Sequence, residues 1–268
     1  MDSRFRGNER SKGDPPMVIY RPGPVAIVLV SLIVLFLLAP LVAVVPISFT
    51  PSSYLSLPTD EYSLRHYRSL VEAPQWGEAI ALSLWIGAVA ATLSTVLATS
   101  FMQPRLTAAL VGFVLLPMIV PPVVSAVTIY FLLTSLSQIS SAIGYDSWPG
   151  VALAHVVMVS PFAVIMILVS LSQIDRRMDM AARGMGASLP RRIFQIVLPN
   201  ISFGVITAAF LSFVLSWEEI AVTLFITSTN AVTLPRLVWM GLRDNVDPAI
   251  AAISVVLILI TVAVLAAV

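Results

Sequence analysis

Two neighbouring carboxylates, Glu218 and Glu219, follow Trp217 in the run FLSFVLSWEEIAVTLFI, which holds no other charge. A charge at the centre of a bilayer costs about 2.5–3.5 kcal/mol on insertion scales, so acids in an apolar run usually face a cavity and act there. In a water-filled path they attract cations, and the indole face of Trp217 suits an ammonium group. The same pair also fits a structural ion pair, or a helix end nearer the membrane surface. Enzyme chemistry finds little else to work with. No GxSxG, HExxH or GxxxxGK[ST] occurs, so a nucleophile elbow, a zinc-protease helix and a phosphate-binding loop are all missing. His66 and His155 have no second ligand at usable spacing and read as ordinary polar residues. The chain has no cysteine, which removes disulfides and thiolate chemistry.

The second pattern is DRRMDMAARGMGASLPRRIFQIVLPN, residues 175–200. Ala181 and Ala182 are small and sit in a helix-forming stretch. Gly184 and Gly186 end that helix, since glycine takes left-handed conformations cheaply. Ser188 is placed to cap a second helix with Pro190 in its first turn. That helix presents Ile193, Phe194 and Val197 and ends at Leu198-Pro199. The segment therefore reads as two short helices with a small-residue corner between them, its arginines solvated. Such a corner serves as a docking knob for a cytoplasmic partner, or lies as an amphipathic connector on the inner membrane face.

Elements of a particular kind must carry these residues. The chain of 268 residues is 58% apolar and only 11% charged, with a mean hydropathy of +0.96. A soluble domain carries about 25% charged residues, so this composition points to an integral membrane protein. The net charge of +1 offers no basic surface for nucleic acid. Gaps between charges give six spans, each near the roughly 20 apolar residues that a bilayer requires. They are Val25–Val45, Ala79–Phe101, Leu106–Leu133, Val151–Leu171, Ile201–Ile226 and Ala249–Val268. A turn with Gly144, Asp146, Pro149 and Gly150 separates the third span from the fourth. In the third span, Pro117, Pro121 and Pro122 each remove a helical hydrogen bond. The break either faces the bundle interior, where the freed backbone groups find partners, or is a kink that fits an overlong helix. In the fifth, Glu218 lies about 27 Å along the helix from Asn200, in its outer half. Adjacent helical residues diverge by about 100°, so one carboxylate faces the path and the other a neighbouring helix or subunit.

With a cytoplasmic N-terminus, the inner segments hold 11 Lys and Arg and the outer segments 4. Seven acids, Asp60, Glu61, Glu72, Glu78, Asp146, Asp244 and Asp247, fall outside. Both termini are therefore expected in the cytoplasm. Residues 1–22 form a cytoplasmic tail. Its first 16 residues read as solvated, or as an upstream extension before a start at Met17. No basic residue follows the sixth span, so either the chain is cut short or packing anchors that helix. In the external segment 62–76, Ser63 is expected to cap a short helix with Leu64, Tyr67 and Val71 on one face and Trp76 at the membrane interface.

The 175–200 segment resembles the cytoplasmic loop of permease subunits of binding-protein-dependent ABC importers, pattern E-A-A-x3-G-x9-I-x-L-P. Ala181, Ala182, Gly186, Ile196, Leu198 and Pro199 match at fixed spacing. Met180 stands where glutamate is usual, with Asp179 beside it as a substitute charge. Residues 62–76, the LPMIVPPVV run at 116–124 and the acidic pair of the fifth span are similar to the polyamine (spermidine/putrescine) branch. The resemblance covers nearly the whole of residues 23–268.

It implies an all-α membrane fold of six spans, the type I ABC importer kind, with a coupling loop at 174–200. It implies a transport subunit rather than an enzyme, in the inner (cytoplasmic) membrane, with no cofactor of its own. ATP and Mg belong to a partner ATP-binding subunit seated on the coupling loop. The other implied partners are a second permease, usually a different chain, and an extracytoplasmic solute-binding protein. The substrate implied is a polyamine-like cation, with Trp217, Glu218, Glu219 and the prolines 117, 121 and 122 on its path or gate. Ferric iron, thiamine or an opine-like amino compound compete as solutes. An intramembrane acid/base enzyme or a proton-coupled secondary transporter would leave the coupling loop unexplained.

Overall fold

The computed structural model describes residues 23–59, 61–100, 108–244 and 246–267. The expected tail 1–22, the span limits Phe101, Leu106 and Val268, and the charges Asp60 and Arg105 lie outside the described residues. Among the described residues, four helices are long and apolar enough to cross a bilayer unbroken: α1 (Pro24–Ile47), α3 (Pro74–Ser100), α6 (Trp148–Ser172) and α13 (Ala249–Ala267). Between them lie α2 (Arg65–Glu72), α4 (Ala108–Ile119) and α5 (Pro122–Ser137). After α6 come α7 (Arg176–Gly184), α8 (Leu189–Arg192), a π turn (Ile193–Val197) and α9 (Leu198–Asn200). Last before α13 are α10 (Ser202–Trp217), α11 (Ala221–Ile226) and α12 (Leu234–Asp244). Helix is the only extended form that satisfies its own backbone in hydrocarbon, so these apolar runs have no alternative among open structures.

The third span is broken, as its prolines predict. α4 and α5 meet at 108°. A residue before proline is driven out of the helical region, and Pro121, ahead of Pro122, has φ −53° and ψ 135°. Pro117 is half-buried, whereas Pro121 and Pro122 are exposed. The break therefore faces away from this chain's own bundle.

The bundle centre is α3, α6 and α10, packed on one another. Close approach needs small residues. α3 buries Ser83, Gly87, Ala90, Ala91, Ser94 and Ala98, and Gly87 lies under the ring of Phe213. At the α10–α6 crossing a Cβ on Gly204 would collide with Ser170. By contrast α1 has no buried residue; Val44, Pro46 and Ile47 are half-buried and the helix touches α13, and the rest of its apolar surface is left for lipid or another subunit.

The segment 62–76 departs from expectation. α2 buries His66, not an apolar stripe; Leu64 is exposed and Val71 is 87% exposed. The His66 ring hydrogen-bonds Ser52 O through Nε2 at 3.0 Å, and Tyr67 meets Ser48 Oγ at 2.8 Å. Polar anchoring to the preceding loop thus outweighs the helical pattern. Trp76 is buried with Leu234, Ala249, Ile250 and Ile253. α12 carries part of that cluster and gives no span-length signal of its own.

Candidate functional site

The 175–200 loop forms the expected corner with its own caps. Asp175 Oδ1 accepts from Arg177 N at 2.8 Å, capping α7. At the other end Ala187 N donates to Ala182 O and Gly186 N to Arg183 O, both at 3.0 Å. That double bond pattern requires a left-handed residue, and Gly186 has φ 77°. Ser188 begins α8 without a side-chain cap. Pro199 has no N–H to offer, the helix loosens to a π turn before it, and Asn200 Nδ2 donates to Ile196 O at 2.6 Å. The Leu189–Asn200 arm then meets α10 at 75°.

One arginine of this loop is not solvated. Arg192 is 7% exposed, and its Nε and Nη2 donate to Asp179 Oδ1 and Oδ2, both at 2.7 Å. Asp179 thus spends its charge inside the loop, tying α7 to α8, and does not simply stand in for the glutamate that Met180 replaces. Local spacing cannot reveal this pair, which lies across the Gly186 corner. Ala182 is buried, while Ala181, Gly186 and Pro199 are exposed and Ile196 and Leu198 half-buried. Met178, Met180, Met185 and Phe194 are exposed as well. Methionine adapts its shape to a partner surface, so these side chains extend the knob rather than fill a core.

The acidic pair occupies a break, not a continuous helix. α10 stops at Trp217 and α11 starts at Ala221. The Glu219 carboxylate accepts from Val222 N at 2.9 Å, and Glu219 O accepts from Thr223 Oγ1 at 2.9 Å. Glu219 is therefore the local start signal of α11, as acids at helix starts are. Arg236 Nη1 reaches Thr223 O and Leu224 O at the opposite end, at 3.3 and 3.2 Å. Glu218 is exposed and no described residue holds it. Trp217 is half-buried, stacked on Phe213 with ring centres 6.3 Å apart. The fold so divides the pair: Glu219 is spent on structure and Glu218 is free to meet what lies outside the subunit.

A carboxylate absent from the expected site organises the end of α11. Asp146, at φ 56°, accepts from the backbone N–H of Ser228, Thr229, Asn230 and Ala231, at 2.7 to 3.3 Å. Burial alone would raise its pKa; the four donors outweigh that and hold it below the ordinary aspartate value. Its partners lie more than 80 residues away, so the sequence shows only a turn aspartate.

Comparisons with known proteins agree on the family. The family described as "Binding-protein-dependent transport system inner membrane component" matches residues 83–268. The putrescine transport system permease protein PotI of Escherichia coli (strain K12) is 29% identical over 245 residues, 88% of this chain and 86% of that protein. A probable molybdenum ABC transporter permease protein of Haloferax volcanii is 31% identical over 189 residues, 66% and 69% of the two chains. The crystal structure of a bacterial ABC transporter involved in the import of the acidic polysaccharide alginate superposes with a TM-score of 0.66. It covers 90% of this chain and 94% of that one at 15% identity, a likeness of fold.

Proposed function

Since the chain belongs to the binding-protein-dependent transport system inner membrane component family, and so is a permease subunit of an ABC importer, we propose that it forms half of the path for a small cation of the polyamine kind. Glu218 carries this reading. A bare carboxylate on a membrane-crossing segment is not left facing lipid, where it would cost several kcal/mol. It belongs on a surface that holds water and, during transport, an ammonium group. The likeness to a putrescine permease supports the same class.

The loop 174–200 docks the ATP-binding subunit in the cytoplasm, through Ala181, Gly186, Pro199 and the exposed methionines. The broken third span, with Pro121 and Pro122, and the uncovered α1 face a second permease and lipid. The external segments receive substrate from the binding protein, and both termini are cytoplasmic. ATP bound on the partner supplies the difference in free energy that moves the pair between outward- and inward-facing states.

The test is uptake of labelled putrescine, normalised to assembled complex. Glu218→Gln removes the charge and keeps the shape, so it should spare assembly and cut uptake by tenfold or more on the scale of one ionic contact (about 1.4 kcal/mol). Glu219→Gln should instead lower the amount of folded permease. Full putrescine uptake by Glu218→Gln would remove Glu218 from the path, and no putrescine uptake by the unaltered complex would remove the cationic substrate.

A further inference from the structure

We infer that His155 is the positioning residue that pins the two halves of the broken fifth span to the bundle, and so sets where Glu218 is presented. His155 lies in mid-α6, 1% exposed, and stands outside every role assigned above. Its ring touches both sides of the break. Nδ1 is 2.7 Å from Ser216 Oγ, near the end of α10, and Nε2 is 3.0 Å from Thr223 Oγ1 in α11. Ser216 and Thr223 are themselves buried, at 4% and 0% exposure.

The proton count selects one tautomer. The single hydroxyl proton of Thr223 goes to Glu219 O, so Thr223 only accepts from the ring. Nε2 therefore carries the hydrogen, and Nδ1 accepts from Ser216. A neutral imidazole is the side chain that joins a donor and an acceptor at this separation across a helix break. Ser216 and Glu219 flank Glu218, so the ring fixes the break from both ends. Without it, the start of α11 depends on the Glu219 side chain and on Val222 in the core, while its far end keeps Arg236, Ile226 and the bonds from Asp146 N and Tyr145.

The consequence for transport rests on the proposed path role of Glu218; the pin itself does not, and the experiment separates them. The chain has no cysteine, so single thiols report cleanly. Val222→Cys sits in α11 and Val164→Cys in a separate core cluster, both at 0% exposure. Thiol-reaction rates are measured on the assembled complex with N-ethylmaleimide, with His155, His155→Gln and His155→Phe. Loss of two buried hydrogen bonds eases local opening by about tenfold. The Val222 thiol should react faster by that factor with Phe, by less with Gln, which retains one donor toward Thr223, and the Val164 thiol should not change. His155→Phe and Thr223→Val together should raise the Val222 rate by less than the product of their separate effects, since both remove the same ring bond. An unchanged Val222 rate, or an equal rise at Val164, overturns the pin. Putrescine uptake, measured beside it, should fall in kcat more than it changes KM. If the thiol pattern holds and putrescine is not transported even with His155 and Glu218 intact, the substrate reading fails while the pin stands.

Discussion

Replacing Asp179 by asparagine should loosen the coupling arm without unfolding the permease. The Asp179–Arg192 pair is bidentate, with the two side chains 9% and 31% exposed on the Arg and Asp sides. Breaking a fully buried pair costs about 3–5 kcal/mol, because one charge stays behind uncompensated. Here the carboxylate is nearly a third exposed and water reaches it, so the lower scale of one charge-assisted bond applies, about 2 kcal/mol. Asparagine keeps one acceptor for Arg192 Nε but turns an N–H toward Nη2, which is why the loss approaches that whole figure. At 1.4 kcal/mol per factor of ten, local opening of α8 and the π turn becomes about 30-fold more frequent. Amide hydrogen exchange on the assembled complex reads this directly. Residues 189–200 should lose protection by about that factor, while α6 should not change. Because the same arm meets α10 at 75°, ATP hydrolysed per solute transported should rise. The exchanged pair, Asp179→Arg with Arg192→Asp, should restore most of both. Unchanged exchange in 189–200, or a double variant no better than either single one, would refute the reasoning that this pair stiffens the lever.

Asp146→Asn should destabilise the end of α11 and the turn after it by about 2–3 kcal/mol at neutral pH, since four backbone donors lose a charged acceptor. The sign with pH follows from its lowered pKa: the contribution is complete above the unfolded value near 4 and is lost as pH falls through the folded value below it. Thermal melts should therefore show an acid-dependent loss that is smaller in Asp146→Asn. Gly186→Ala forces a Cβ into φ 77° and should cost about 1 kcal/mol, seen in melts, while Gly186→Trp should abolish co-purification with the ATPase and leave membrane insertion intact. Cysteines at Ser63 and Ser188 test the topology: an impermeant thiol reagent on intact cells should label the first and not the second, and the opposite pattern reverses the orientation.

The number and place of the spans were legible in the amino-acid order, because a run of some 20 apolar residues can satisfy its backbone in lipid only as helix. The corner at Gly186 was legible for the same local reason: glycine at a left-handed position and proline without a donor act within a few residues of themselves, and the bond from Ala187 N to Ala182 O closes there. The proline break of the third span is likewise local. What spacing could not decide was the use of each charged side chain. Glu218 and Glu219 are chemically alike and adjacent, yet one caps α11 and the other stays free, because the chain turns between α10 and α11 where Glu219 can reach Val222 N. Arg192 looks like its neighbour Arg191 until α8 folds back on α7 and buries it against Asp179. Asp146 and His155 gain their meaning only from partners 61 to 85 residues away. Local patterns set the helices, since helical bonds join near neighbours; the pairing of charges and hydroxyls between helices was set by packing, which brings together residues that no short-range rule connects.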